Sequence, residues 1–471
     1  MTQALWTWDE LVSASGGTAD GTSARAITGL SIDSRTLQPG DVFVALEDVR
    51  DGHEFVGAAF AAGASAAVVA TRYQRKRGDG ALIRVADPLI ALEAAGRAAR
   101  ARTAARVIAV TGSVGKTGTK DALCACLSRL AATHAAERSF NNHWGVPLTL
   151  ARMPAGSVYG VFELGMNHVG EITPLTRLVR PHVAVITAIE PVHLGHFASE
   201  DEIAEAKAEI LHGLERGGIA ILNRDNPHFE RLNARAVAQG ARVAAFGRHP
   251  EADIRLVQVA LGPEGSDIEA DVHGRRLAYR LGAPGVHLAQ NSLAVLAALA
   301  AVGADIERGA AALATVSASA GRGARTILQT PTGEILLIDE SYNANPASMR
   351  AALSALATVS RARFPRCIAV LGEMLELGPH ASELHRGLKE AIDAAGVDLV
   401  FASGTHMAAL FAALDQQQQA HWAEASGGLE APLLETVAGG DVIMIKGSLG
   451  SRMAPLVEAL KRRFRGTSVA A

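Results

Sequence analysis

The segment Thr111-Gly112-Ser113-Val114-Gly115-Lys116-Thr117-Gly118 follows the apolar run VIAV and precedes a stretch that can form a helix. Glycines in such a turn let backbone N–H groups curl around phosphate oxygens, and a helix N-terminus adds a favourable dipole. In this reading Lys116 reaches the β- and γ-phosphates of a nucleotide, and Thr117 offers its hydroxyl to Mg2+. The longer GxxxxGK[ST] pattern would place glycine at Val110, so the shorter TGxxGKT form carries the expectation. A phosphate loop alone names no reaction, because motors, switches and ligases share it.

Three further residues are candidates by type and position. Glu163 closes the apolar run VYGVFEL. A carboxylate that ends a strand beside a phosphate loop is a natural magnesium ligand. His193, in IEPVHLGHF, follows the run HVAVITAI. A neutral imidazole there could hold a second cation or orient a phosphate, and could equally be structural. Lys207 sits in SEDEIAEAKAEILHGL, where Ser199 and Glu202 have the spacing of a capping box. A lysine on so charged a helix reads as solvated surface.

The elements that must position these residues follow a repeated pattern. TGSVGKT, ELGMNH, IEPVH, DESYNANP, LGEMLELG and KGSLGSRM each come directly after an apolar strand. Open α/β sheets bind ligands beyond the carboxyl ends of their strands. Strands alternating with helical windows predict an α/β fold with parallel sheets covered on both faces. At roughly 100–200 residues per domain, a chain of 471 residues suggests three domains. The expected division is a smaller α/β domain over 1–105, a central P-loop parallel-sheet domain over 106–320 and a Rossmann-like domain over 321–471.

Composition removes several function classes. The formal net charge is −3, with no strongly basic domain, which argues against a nucleic-acid binder. The start MTQALWTWDELV has no basic cluster before an apolar run, so no secretory leader is expected. The longest apolar stretch, near residues 292–304, is too short to span a bilayer and reads as a buried helix. Three cysteines without a CxxC pair fit a reducing cytoplasm, and nothing calls for an oligomer, so a cytoplasmic monomer is expected.

Taken together, DSRTLQPGDVFVAL, TGSVGKTGTK, SFNNHWGVPLTL, FELGMNHVGEI, EIAEAKAEIL, DESYNANPASMRAAL and KGSLGSRM resemble the Mur ligase family along essentially the whole chain. DESYNANP with LGEMLELG most resembles the branch that adds D-alanyl-D-alanine to UDP-N-acetylmuramoyl-tripeptide in peptidoglycan synthesis. The resemblance implies ATP and Mg2+ as cofactors and an acyl-phosphate intermediate. It implies that Glu163 and His193 hold magnesium, and that Lys207 is carbamylated and becomes a further ligand. The nucleotide is expected at Gly112 to Gly118, Asn291, Arg322, Arg325 and Asp339. The UDP-sugar end is expected at Ser34, Arg35 and the Asp51-Gly52-His53 segment of the first domain, with Asn142 near substrate and phosphates. Tyr342, Asn343, Asn345, Lys446 and Ser448 are expected to hold the dipeptide as the third domain closes. Two positions depart from the family pattern: Glu340 replaces an aspartate, and Leu449 replaces an arginine after Lys-Gly-Ser. A sibling ligase with another amine, including a folylpolyglutamate-type enzyme, would keep the ATP site and change the third domain. A nucleotide switch or motor would hydrolyse ATP without any amine.

Overall fold

The computed structural model describes residues 4–23, 25–137, 139–191, 197, 199–262 and 265–468. Three sheets follow one another along the chain, one per domain. The first has five strands in the order Thr18–Asp20, Ala81–Val85, Ala66–Ala70, Asp41–Val44, Gly29–Ser31, parallel except for its first pair. Helix Pro88–Ala101 leads out of it. Asp87 caps that helix and Pro88 sits in its first turn, where a missing N–H costs nothing.

The central sheet has nine strands. Arg106–Thr111 lies inside it, flanked by Tyr159–Glu163 on one side and Val183–Ile186 on the other, both parallel. Alternation along this strand feeds two cores: Val107 and Ala109 face one, Ile108 and Val110 the other. This is why the strand reads as a continuous apolar run rather than an alternating one. Helix Val286–Ala301 is buried against the second of these cores, as its composition predicts. One part departs from the parallel expectation. Strands Ile254–Leu261, Ser266–Val272 and Arg275–Leu281 form an antiparallel meander on the sheet edge. Its tight turn is made by His273 and Gly274, both at positive φ (51° and 83°), the geometry that two-residue hairpins require.

The third sheet has seven strands in the order Gln419–Ala423, Leu399–Ser403, Arg366–Gly372, Asp441–Lys446, Gly333–Glu340, Ala324–Thr330, Arg465–Ser468. The first five are parallel, and Ala324–Thr330 runs antiparallel to both of its neighbours, Gly333–Glu340 and Arg465–Ser468. The chain passes from Gly333–Glu340 across to Arg366–Gly372, and Asp441–Lys446 returns between them. Loops leaving the two sides of that crossing open a crevice at the carboxyl ends. Among the described residues no helix is long and apolar enough to cross a membrane.

Candidate active site

The glycine turn is built by its neighbours. Gly112 has φ +147°, and a Cβ there would lie 2.0 Å from Thr187 Oγ1. Gly115 has φ +82°, and a Cβ there would lie 2.5 Å from the amide nitrogen of Asn291. Ser113 N donates to Ala188 O (2.8 Å), and Ser113 Oγ both donates to Glu190 O and accepts from Glu190 N at 3.0 Å. Thr187 Oγ1 donates to Val114 O (2.6 Å). The turn is therefore clamped to the end of the adjacent strand, and the Ser113 hydroxyl is spent on that clamp. Helix Lys116–Ser128 starts directly after Gly115 with no side-chain cap, so its first N–H groups point into the turn. Lys116 Nζ donates to Gly112 O (2.6 Å) and Ser113 O (3.2 Å). Burial and the nearby Arg322 hold its pKa below the usual lysine range, against the pull of Glu163.

Glu163 is 1 % exposed. Its Oε1 accepts from Asn141 Nδ2 at 2.7 Å, while its Oε2 is buried and has no hydrogen-bond partner among the described residues. Such an orphaned carboxylate oxygen is costly unless something charged completes it. Lys207 is on helix Glu200–Ala208, whose N-terminus Ser199 caps, its Oγ accepting from Glu202 N (3.2 Å), one half of the expected box. The helix is not solvated all round: Lys207 is 1 % exposed. Burial first, and then Lys116, push its pKa well below the usual value, with Glu209 and Glu163 opposing. The surface reading of Lys207 is overturned, because one face of this charged helix packs inward. His193 lies outside the described residues.

The third domain closes one side of the cleft. The Arg322 guanidinium stacks on the Tyr342 ring at 4.3 Å and reaches Ser139 Oγ at 3.5 Å. Ser139 Oγ is 3.3 Å from Thr117 Oγ1. Asp339 is turned inward and accepts from Gly321 N (2.8 Å) and Ser341 Oγ (2.6 Å), so it shapes the joint that carries Arg322. Arg325 is held below the usual arginine range by burial, with Glu340 opposing. Lys446 Nζ donates to Asn343 O (2.9 Å) and Glu340 Oε2 (3.2 Å). Glu340 thus serves as the counterion of a buried lysine on the neighbouring strand, a reach that suits its extra methylene. Asn345 caps helix Pro346–Ala357 in a box with Ser348. Ser448 Oγ donates to Ala344 O (3.2 Å) and accepts from Leu375 N (3.0 Å), pinning three loops together. Leu449 is 65 % exposed.

Two cavities result. One of about 630 Å³ is lined by Lys116, Thr117, Glu163, Asn291, Arg322 and Lys446, among others. It brings together residues 113–118 and Tyr342, Asn343 and Asn345 as well, but Gly112, Asn142, Lys207, Arg325, Asp339 and Ser448 do not line it. The other, about 1110 Å³, lies between the first and central domains and takes in Ser34 and Arg35. Arg35 forks onto Asp33 (2.9 and 2.7 Å). His53 is buried, bonded through Nδ1 to Asp51 (2.6 Å) and through Nε2 to Ala70 N (2.9 Å), so it supports the rim from below. Sequence reasoning chose Asn142 and passed over Asn141 and Ser139. Asn142 Oδ1 instead accepts from Trp144 N and Gly145 N (3.2 and 2.9 Å). Glu190 was also missed; it lines the smaller cleft with its carboxyl raised by burial and by Glu200.

Residues 110–299 match the Mur ligase middle domain, and residues 325–449 match the Mur ligase glutamate ligase domain. The UDP-N-acetylmuramoyl-tripeptide–D-alanyl-D-alanine ligase of Escherichia coli (strain K12) is 34% identical over 92% of this chain and 93% of its own. That of Bacillus subtilis (strain 168) is 33% identical over 92% and 93%. A crystal structure of MurF from Acinetobacter baumannii superposes with a TM-score of 0.83 at 29% identity, covering 98% of this chain and 100% of that one. Three α/β domains, a clamped glycine turn and matches across nearly the whole length agree: the chain belongs to the Mur ligase family.

Proposed function

We propose that this enzyme joins D-alanyl-D-alanine to UDP-N-acetylmuramoyl-tripeptide in the cytoplasm, using ATP, to give the pentapeptide precursor of peptidoglycan. The observation that carries the reading is the cluster of Lys116, Glu163 and Lys207, whose charges act on one another beside the glycine turn, with Glu163 and Lys207 buried and one carboxylate oxygen unsatisfied. A divalent cation fits that oxygen. Thr117 Oγ1 and Glu163 Oε2 are hard donors of the type Mg2+ takes, and His193 is proposed to join them. Bound there, Mg2+ would neutralise charge on the phosphates. Lys207 fits the same site once altered. A buried amine held neutral adds CO2, losing one proton and gaining a carbamate, which turns a repelling cation into an anionic ligand.

The tripeptide ends in a carboxylate, a poor electrophile. Transfer of the γ-phosphoryl of ATP to that carboxylate gives an acyl phosphate and ADP. Lys116 and Arg322 supply positive charge where the phosphoryl group passes. The amine of the dipeptide then attacks the acyl carbon, phosphate leaves, and the amine gives up a proton. Residues of two domains line the cleft, so closure keeps water from the acyl phosphate. Gly112, Gly115 and Asn291 are proposed to frame the nucleotide. Tyr342, Asn343 and Lys446 are proposed to face the dipeptide. The larger cavity is proposed to take the UDP end at Ser34 and Arg35.

The test is product mass after incubation with ATP, the UDP-linked tripeptide and D-alanyl-D-alanine. The expected product is the tripeptide plus the dipeptide less one water, formed with one ADP. ATP hydrolysis that ignores the amine would refute the reading, and ligation of a different amine would move it to a sibling activity.

A further inference from the structure

The chain from Ser139 to Gly145 separates the two cavities and faces both. Ser139 and Asn141 line the smaller cleft, whereas Phe140 and Trp144 line the larger one. Asn141 N donates to Ser139 O (3.0 Å), a three-residue turn with Phe140 at its apex. That turn throws Phe140 away from its two neighbours. Its opposite side is tied to the phosphate and acid residues. Asn141 O accepts from Gly165 N (2.8 Å), Asn141 Nδ2 donates to Glu163 Oε1 (2.7 Å), and Ser139 Oγ lies 3.3 Å from Thr117 Oγ1. The aromatic side is tied back to the same turn. Asn142 Oδ1 holds Trp144 N and Gly145 N, and a Cβ on Gly145 would lie 2.6 Å from the Phe140 backbone. Phe140 and Trp144 therefore cannot shift without moving the residues that hold Glu163 and Thr117.

We propose that Phe140 and Trp144 bind the uridine end of the UDP-linked substrate, and that their shared turn makes this binding cooperative with nucleotide in the neighbouring cleft. This rests on the function proposed above. An aromatic pair gives a nucleobase a face to stack on, and Arg35 on the facing domain gives a diphosphate a guanidinium. The central domain thus contributes directly to a site that the first domain alone does not complete.

The protein has four tryptophans, of which Trp6 is buried and Trp422 lies in the third domain. Titrating the full chain with UDP-N-acetylmuramoyl-tripeptide should quench its tryptophan emission, and Trp144→Phe should remove that quench. Trp144→Leu should raise KM for the UDP substrate about tenfold at little cost in kcat, and Trp144→Phe, which keeps a ring to stack on, should restore KM. By calorimetry, saturating UDP substrate should tighten ADP binding to the wild type about fivefold. Phe140→Ala should lose that gain, whatever its affinity for ADP alone, with Phe140→Leu between. A quench that persists in Trp144→Phe, or a full gain in Phe140→Ala, overturns the inference while ligation by the wild type leaves the proposed function standing. A wild type that neither binds nor ligates the UDP substrate overturns both.

Discussion

Replacing Lys207 by methionine should make the protein more stable and inactive at once. The Lys207 side chain is 1 % exposed, and its charge is disfavoured by burial and then by Lys116. Among the described residues no hydrogen bond to its Nζ is present. Burying an amine whose surroundings disfavour its charge costs about 1–3 kcal/mol. Methionine fills nearly the same space with a flexible apolar chain and carries no such cost. In buffer stripped of CO2, Lys207→Met should therefore gain about 1–3 kcal/mol, which for a domain of this size raises its transition by about 2–4 °C per kcal/mol. Turnover should fall to background, since no carbamate can form.

The pH dependence has a definite sign. The folded pKa of Lys207 lies well below the ordinary 10.5. Between the two values the unfolded chain holds a proton that the folded chain lacks, so wild-type stability rises with pH across that window. Lys207→Met should lack this rise. Bicarbonate should stabilise and reactivate the wild type and leave the variant unchanged. Scanning calorimetry of both proteins, with and without bicarbonate, reads the stability, and the ligation assay reads activity. A variant less stable than the wild type by 1 kcal/mol would show a lysine that is charged and paired, contrary to the reasoning. A variant that still ligates would remove Lys207 from the chemistry.

Lys116→Ala should abolish turnover with an unchanged circular dichroism spectrum, because among the described residues its Nζ bonds only to the turn it serves; near-normal ligation would end the phosphate assignment. Gly115→Ala forces a side chain into the left-handed region at about 1–2 kcal/mol and drives its Cβ to 2.5 Å from Asn291. ADP affinity by calorimetry should then fall about tenfold, and unchanged affinity would refute the contact. His385 accepts from Met374 N (2.9 Å) at Nε2 and is bonded at Nδ1 to Ala381 O (2.6 Å), and burial lowers its pKa below 6.5. The unfolded chain takes a proton first, so stability is full above 6.5 and is lost as pH falls below it. His385→Leu should cost about 1–3 kcal/mol by orphaning the Met374 amide and should flatten that acid limb, both read by denaturant melts of the third domain at two pH values.

Much of this was legible where the determinant is local. A glycine turn between an apolar strand and a helix is fixed by a few consecutive residues, so residues 112–117 could be read directly. Three α/β layers follow from strand and helix periods. What the pattern could not give is which side a residue faces once neighbours pack. Lys207 shares a helix with Glu200, Asp201, Glu202 and Glu205, whose charge suggests solvent; only the packing of Ile203, Ala204, Ala206 and Ala208 reveals the buried side. Asn141 and Asn142 are adjacent and identical in type, and a turn three residues long decides which one meets Glu163. The antiparallel meander of the central sheet was missed because its signal is a two-residue turn, His273-Gly274, rather than a period.

The polar residues that follow the strands also fall into two physical kinds. Ser113, Asp339, Asn345 and Ser448 are buried with their hydrogen bonds met inside the fold. Each holds a loop at the carboxyl edge of a sheet, where irregular backbone needs partners. Glu163 and Lys207 are buried with something missing: an oxygen without a donor, and an amine whose charge the surroundings reject. Both kinds look alike in a sequence, since both are polar residues at strand ends. They differ in what removal does. Losing a satisfied pin leaves its partners orphaned and costs stability, whereas losing an unsatisfied group relieves strain and costs function. Stability and activity should therefore move together for Ser448 and in opposite directions for Lys207.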